Sequence, residues 1–97
     1  MKELTISELK QWINEHKVFG LVDVREAYEH EHFNIGGKLI PLGELMSRKS
    51  EVDASMPVVI YCEKGIRSVI AIQRLEALGF TQLYNLQGGM KAYRSGH

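Results

Sequence analysis

The sequence predicts an α/β fold built on a mainly parallel β-sheet, and three observations support this. Short apolar, β-branched segments typical of strands alternate along the chain with segments of helical periodicity. The connections between successive strands are too long for hairpins. The clearest strand, residues 57–61, opens with a proline and continues with four apolar residues without alternation. Such a run is typical of a central strand that is buried on both faces.

The other predicted elements follow from the same patterns. Further strands are predicted at residues 20–24, 38–41 and 83–86, and helical segments at residues 7–17, 26–33, 42–48, 68–78 and 90–94. Ser7 is a plausible N-cap of the first helix, and Gly79 suits the left-handed position after the longest one. Ligands of parallel sheets bind beyond the carboxyl ends of the strands. Asp23, Arg25 and Cys62 follow two strands, so we expect them at one edge of the sheet.

Length and charge exclude several classes of function. The 97 residues predict one domain, 1–97, and twelve Lys and Arg residues balance twelve Asp and Glu residues to a net charge of zero. A protein that binds nucleic acid through bulk charge needs a basic face, so we expect no nucleic-acid partner. No apolar run reaches the roughly 20 residues of a membrane span. The N-terminal residues alternate in charge where a signal peptide would be apolar. We therefore expect a cytoplasmic protein without a membrane partner.

The chain contains a single cysteine, Cys62. One cysteine excludes an internal disulfide, a CxxC redox pair and a cysteine-rich metal site. It leaves a buried inert thiol, a reactive thiol or an intermolecular partner, and free cysteines are most often buried and inert. The pair His30 and His32 lies in a helical segment with no evident third ligand, so we expect a solvated patch, no metal and no cofactor.

The residues that follow Cys62 favour a reactive thiol. The cysteine comes directly after the buried strand, and a helix begins about six residues later. Gly65 supplies the permissive backbone for the sharp turn between them. Backbone N–H groups of such a loop form an anion cradle, to which the helix N-terminus adds its unpaired N–H groups. With Lys64 and Arg67 nearby, these features favour the thiolate, which is the nucleophilic form.

Several motifs occur in an order and spacing that resemble a known family. Cys62 lies in a strand–Cys-x-x-Gly-x-Arg-Ser–helix pattern. The other matching stretches are Asp23-Val24-Arg25-Glu26, residues 35–41, Leu75 with Gly79-Phe80, and Leu86-x-Gly88-Gly89. Together they resemble the single-domain rhodaneses, which are sulfurtransferases. The departures from the family pattern are Asn34 for His, Gly37 for Ala and Tyr93 for Trp.

The resemblance implies a rhodanese-like fold, with a small sheet flanked by helices on both faces, and a two-step sulfur transfer. Cys62 would take a sulfane sulfur from thiosulfate or a persulfide donor and pass it to a thiol or protein acceptor. Cysteine phosphatases of similar architecture use Cys-x5-Arg, whereas four residues separate Cys62 from Arg67. The shorter loop matches the sulfurtransferase branch.

The candidate site residues fall into three groups. Cys62 is the expected nucleophile, and the expected substrate-binding residues are Glu63, Lys64, Gly65, Ile66 and Arg67. Arg67 either binds an anionic donor or caps the loop or pairs with a carboxylate, and Lys64 and Glu63 also suit a solvated surface. The supporting residues are Ser68, Asp23 and Arg25. We expect Ser68 to serve the helix N-terminus through its hydroxyl and the other two to form an ion-pair network.

Two functions of other classes remain open at this point. A rhodanese fold can serve as a docking module or as a sulfur relay for a partner protein, although non-catalytic members often lack the cysteine. A phosphatase or an arsenate-reductase-like enzyme is disfavoured by the loop length. We expect an open, shallow site, because a chain this short carries no large substrate loops.

Overall fold

The computed structural model describes residues 1–96 and contains a five-stranded, wholly parallel sheet. The strands are β1 (Lys2–Leu4), β2 (Gly20–Asp23), β3 (Lys38–Leu39), β4 (Val58–Tyr61) and β5 (Leu83–Leu86). Their order across the sheet is β1-β5-β4-β2-β3, so the strand that precedes Cys62 is central. The four residues of β4 are all buried, as the absence of alternation predicts.

Four α-helices connect or follow the strands. They are α1 (Ile6–Asn14), α2 (Ala27–His32), α3 (Arg67–Glu76) and α4 (Gly89–Arg94), and two 3-10 turns lie at Leu42–Glu44 and Lys49–Glu51. The predicted α/β class and the parallel sheet with helices on both faces are confirmed.

A separate apolar cluster covers each face of the sheet. One face packs against α3, which contributes three buried side chains to that cluster, Ala71, Ile72 and Leu75. The opposite face packs against α1 and α4, which contribute Ile6, Leu9 and Met90. Because side chains alternate along β4, Val59 and Tyr61 belong to the second cluster, whereas Val58 and Ile60 belong to the first. This double burial fixes the end of β4, and with it the position of Cys62.

The structure corrects the predicted N-terminal region. Helix α1 begins at Ile6, and its cap is Thr5 instead of Ser7. The Thr5 Oγ1 accepts the Glu8 N–H at 3.1 Å, and the Glu8 carboxylate accepts the Thr5 N–H at 2.9 Å. This capping box satisfies two backbone donors, which a cap at Ser7 would leave unpaired. Strand β1 was not predicted, because Leu4 is its one buried residue and three residues give no periodic signal.

The prediction of a helix over residues 42–48 is also wrong. This region forms one 3-10 turn, and a second 3-10 turn follows at Lys49–Glu51. The Ser47 hydroxyl donates to the Glu44 carbonyl at 2.9 Å, which offers the backbone an alternative partner. Leu45 is the fully buried residue here, too small an apolar face to stabilise an α-helix.

The carboxyl ends of β2 and β4 meet at one sheet edge. Asp23 pairs with Tyr61 in the register of the two strands, and the Val24 N–H donates to the Tyr61 carbonyl at 3.0 Å. Asp23, Arg25 and Cys62 therefore lie at the same edge, as the strand order predicts. Among residues 1–96, no helix is long and apolar enough to cross a membrane.

Candidate active site

Cys62 lies directly beyond β4, and backbone amides surround its sulfur. The Gly65 N–H lies 3.1 Å from Sγ and the Ser68 N–H lies 3.3 Å from it. Gly65 has φ +91°, a region that side-chain-bearing residues seldom adopt, and this conformation turns its N–H toward the sulfur. Cys62 is 1% exposed. Two backbone N–H groups are therefore aimed at the sulfur.

Helix α4 holds the cysteine loop from behind. Its Met90 and Lys91 N–H groups donate to the carbonyls of Cys62 and Glu63, both at 2.9 Å. These carbonyls therefore face α4, while the loop amides remain free to face the sulfur. Gly89, at φ +59°, makes the close approach possible, because a Cβ there would collide with the Cys62 carbonyl oxygen and lie 2.7 Å from that of Glu63.

The Ser68 hydroxyl contacts the site and does not cap the helix, contrary to the prediction. Ser68 is the second residue of α3, whose N-cap is Ile66 without a side-chain cap. The hydroxyl lies 3.3 Å from Cys62 Sγ and donates to Asn85 Oδ1 at 2.5 Å. Asn85, on β5 and 4% exposed, was not predicted as a site residue. The signal that could have found it is a polar residue in an otherwise buried strand.

Arg67 pairs with a carboxylate from α2, the last of the alternatives left open for it. Its Nη1 and Nη2 donate to the two oxygens of Glu29 at 2.7 and 2.8 Å. This two-pronged contact lowers the pKa of Glu29 to about 2, since the guanidinium stabilises the ionised carboxylate. The same contact raises the pKa of Arg67. Glu29 belongs to a charged helical segment, and nothing in its local sequence distinguishes it from its neighbours.

Glu63 is half-buried between two arginines, so it does not occupy the solvated surface position left open for it. Arg25 Nη1 lies 3.3 Å from its Oε1, and Arg94 of α4 forms a second ion pair with it. The Arg94 contact, followed by the charges of Arg94 and Arg25, holds the pKa of Glu63 below its usual range. Glu63 therefore ties the cysteine loop to the segment that follows β2 and to α4.

Asp23 and Arg25 form a buried ion pair beneath the site. Arg25 Nη2 donates to Asp23 Oδ2 at 2.9 Å, and the same nitrogen donates to the Phe33 carbonyl at 2.5 Å. His30 Nδ1 lies 2.9 Å from Asp23 Oδ2, so His30 is half-buried in this network and does not belong to a solvated patch. His32 is exposed, as predicted. Within residues 1–96 no three metal-binding side chains converge on one point.

A cavity of about 410 Å³ opens above the cysteine. Cys62 and Glu29 line this cavity. Four of the predicted loop residues also line it, namely Glu63, Lys64, Ile66 and Arg67. Lys64 is exposed. Two cations line the cavity, and within the described residues Arg67 forms an ion pair whereas Lys64 does not. Gly65 does not line the cavity and instead contributes its N–H to the sulfur. The cavity therefore brings the predicted loop together and adds one unforeseen carboxylate.

Comparison with known proteins identifies the family. The family model of the rhodanese-like domain matches residues 5–95. The chain belongs to the rhodanese-like domain family. It is 40% identical over 94 residues to YqhL, an uncharacterised protein of Bacillus subtilis, covering 96% of this chain and 72% of that one. It is 30% identical over 94 residues to the thiosulfate sulfurtransferase GlpE of Coxiella burnetii, covering 95% of this chain and 88% of GlpE.

A solved structure gives the same assignment. A rhodanese-like domain protein from Staphylococcus aureus superposes with a TM-score of 0.89 at 34% identity, covering 96% of this chain and 91% of that one. Some curated relatives are longer, since the chain spans 49% and 24% of two of them.

The structure shows what surrounds two of the residues that depart from the rhodanese pattern, Gly37 and Tyr93. Gly37 stands where alanine is expected from the family pattern, and a Cβ there would lie 2.6 Å from Cε1 of Tyr61. The Tyr61 ring therefore occupies the space that an alanine would need. Tyr93, which stands for a tryptophan, packs its ring against Phe33 with centroids 6.2 Å apart. Neither residue lies in the cysteine loop.

Proposed function

We propose that this chain is a sulfurtransferase that carries a sulfane sulfur as a persulfide on Cys62. The observation that carries the proposal is the position of Cys62 Sγ, which receives two backbone N–H groups and lies at the base of an open cavity. A thiolate held in this way is a ready nucleophile and needs no general base. The curated name of GlpE, thiosulfate sulfurtransferase, agrees with this chemistry.

In the first step, the Cys62 thiolate attacks the outer sulfur of thiosulfate. A new S–S bond forms, the S–S bond of thiosulfate breaks, and its electron pair leaves with sulfite. The product is an anionic persulfide on Cys62. Loop amides that are already fixed around the sulfur stabilise this charge without reorganisation, which is the advantage of a preformed donor set.

In the second step, an external thiolate attacks the terminal sulfur of the persulfide. The bond between the two sulfurs of the persulfide breaks, and its electron pair returns to Cys62 as the thiolate. The acceptor must be external, because the sequence contains no second cysteine to resolve the persulfide. We propose a small thiol or a protein thiol for this step. A free thiol persists in a reducing compartment, so we also propose a cytoplasmic setting.

We propose Lys64 as the residue that attracts an anionic donor. Arg67 is engaged by Glu29, whereas Lys64 is exposed at the rim of the cavity. An exposed ion pair contributes up to about 1 kcal/mol, so Lys64→Ala should raise KM for thiosulfate about fivefold. Lys91→Ala is the matched control, because Lys91 is also exposed and lines a neighbouring pocket with Lys64 but does not line the cavity above Cys62. An equal rise in both variants would show a general charge effect.

The test of the function is the intact mass of the protein after incubation with thiosulfate. We expect the gain of one sulfur atom, its absence in Cys62→Ser, and its loss when a thiol acceptor is added. If neither thiosulfate nor small persulfides load Cys62, the chain is not a sulfurtransferase for these donors, and a docking function would account for the fold.

A further inference from the structure

A chain of hydrogen bonds runs from the cysteine sulfur to the edge strand of the sheet. The Ser68 hydroxyl lies 3.3 Å from Cys62 Sγ and donates to Asn85 Oδ1 at 2.5 Å. On its other side, Asn85 Nδ2 donates to Glu3 Oε2 at 3.0 Å. Cys62, Ser68 and Asn85 are buried, whereas Glu3 is exposed on β1. The cysteine loop, α3, β5 and β1 therefore supply one continuous chain of polar groups.

The direction of every hydrogen bond in this chain follows from its exposed end. An ionised carboxylate only accepts hydrogen bonds, so Glu3 requires the Nδ2 side of the Asn85 amide. The Oδ1 of Asn85 must then face Ser68, and the single hydroxyl proton of Ser68 points to it. The Ser68 oxygen consequently presents a lone pair to Cys62 Sγ. A protonated Cys62 can donate to that lone pair, but a thiolate receives nothing from the hydroxyl.

We propose that Asn85, oriented by Glu3, is a positioning residue that keeps the Ser68 hydroxyl from donating to Cys62, and so limits how readily the thiol ionises. The two backbone amides favour the thiolate, and the Asn85 contact restrains it. An intermediate acidity of the Cys62 thiol is useful, because the intrinsic nucleophilicity of a thiolate falls as the thiol becomes more acidic. The proposal deepens the proposed function, since it concerns the same nucleophile.

Other charged groups face Cys62 from the elements around it and stay constant in the test. The cavity above the sulfur contains two cations and two carboxylates, namely Lys64, Arg67, Glu29 and Glu63. Behind Glu63 lie Arg94 of α4 and the Asp23–Arg25 pair with His30. None of these groups hydrogen-bonds to Asn85 or Glu3 in the described part of the chain.

The experiment reverses the chain from its exposed end. In Glu3→Lys the ammonium only donates, so the Asn85 amide turns its Oδ1 toward residue 3 and its Nδ2 toward Ser68. The Ser68 proton is then free to donate to Sγ. A shift of one pH unit corresponds to about 1.4 kcal/mol, close to the lower end of what a hydrogen bond to a charged group contributes. We expect the midpoint of the pH profile for Cys62 alkylation by iodoacetamide to fall by about one unit. Alkylation below the midpoint should be about threefold faster, because the lower nucleophilicity of a more acidic thiol offsets part of the tenfold gain in thiolate.

Two further measurements distinguish the hydrogen bond from other effects. At 1 M salt the Debye length is about 3 Å, so a midpoint shift caused only by the charge of the exposed lysine should disappear. If the shift in Glu3→Lys disappears at this salt concentration, the proposal is overturned. Asn85→Leu removes the acceptor of the Ser68 proton and should lower the midpoint in the same direction. An unchanged or raised midpoint in Glu3→Lys overturns the proposal, whether or not Asn85→Leu folds. Alkylation requires no sulfur transfer, so this result is independent of the proposed function.

Discussion

Replacing Gly65 by alanine tests whether the cysteine loop works through its backbone. The Cβ itself fits, since its nearest neighbours would be Gly88 N at 3.5 Å and Asn85 Nδ2 at 3.8 Å. The cost arises from φ +91°, where a side-chain-bearing residue is strained by about 1–3 kcal/mol. Relief of this strain rotates the N–H away from Cys62 Sγ. We expect Gly65→Ala to lose about 1–2 kcal/mol of unfolding free energy, because a stiffer unfolded chain offsets part of the strain.

The effect on chemistry should exceed the effect on stability. A hydrogen bond to a charged group contributes about 1.5–3 kcal/mol, so its loss should slow persulfide formation on Cys62 tenfold or more. The assay is the rate at which thiosulfate adds one sulfur to the intact protein, measured beside urea unfolding.

Gly79→Ala is the matched control for this variant. Gly79 has φ +100°, and a Cβ at this position would have no atom within 4 Å, so its alanine variant carries the same backbone strain. Gly79 follows α3 at the end distant from the sulfur, three residues beyond Glu76. We expect the same loss of stability with an unchanged rate of persulfide formation. If Gly65→Ala loads sulfur as fast as Gly79→Ala, the Gly65 amide does not assist the thiolate and our reasoning is refuted.

Three further predictions concern the groups around the site. The pKa of Glu29 is about 2 when folded and ordinary when unfolded, so its carboxylate contributes fully above about pH 5. Glu29→Gln should cost about 1–2 kcal/mol at pH 7, discounted for partial exposure, and the difference from the unmodified protein in urea unfolding should narrow toward pH 2. Arg25→Met leaves Asp23 buried without its cation and should cost about 3–5 kcal/mol, so a loss below about 1 kcal/mol would contradict a structural ion pair. Gly37→Ala forces a methyl group into the Tyr61 ring and should lower the free energy of unfolding by about 1–3 kcal/mol, measured in urea.

The sequence predicts those parts of the site that depend on local order along the chain. A buried strand, a cysteine, a glycine in the turn and the start of a helix follow one another within residues 58–68, so the position of Cys62 and the direction of the loop can be inferred. Gly65 is expected there for its backbone, and its φ of +91° agrees with that expectation.

The contacts that the sequence does not predict join residues that are distant in the chain. Glu29 and Arg67 are separated by 38 positions, and Glu3 and Asn85 by 82. Glu29 and Glu3 have ordinary local contexts, since one lies in a charged helical turn and the other in a short edge strand. The two contacts depend on how α2 lies over the loop and on the parallel pairing of β1 with β5, which only the assembled sheet determines.

The paired arginines change how the electrostatics of the site should be understood. Three arginines near the cavity each contact a carboxylate, in the pairs Arg67–Glu29, Arg25–Asp23 and Arg94–Glu63. Formal positive charge near Cys62 is therefore largely neutralised, and the sulfur depends on the amides of Gly65 and Ser68. Amide dipoles at 3.1–3.3 Å are too close for salt to screen, whereas an exposed charge such as Lys64 is screened within about 10 Å at 0.1 M salt. Added salt should accordingly weaken capture of an anionic donor while leaving the intrinsic reactivity of Cys62 with a neutral alkylating agent nearly unchanged.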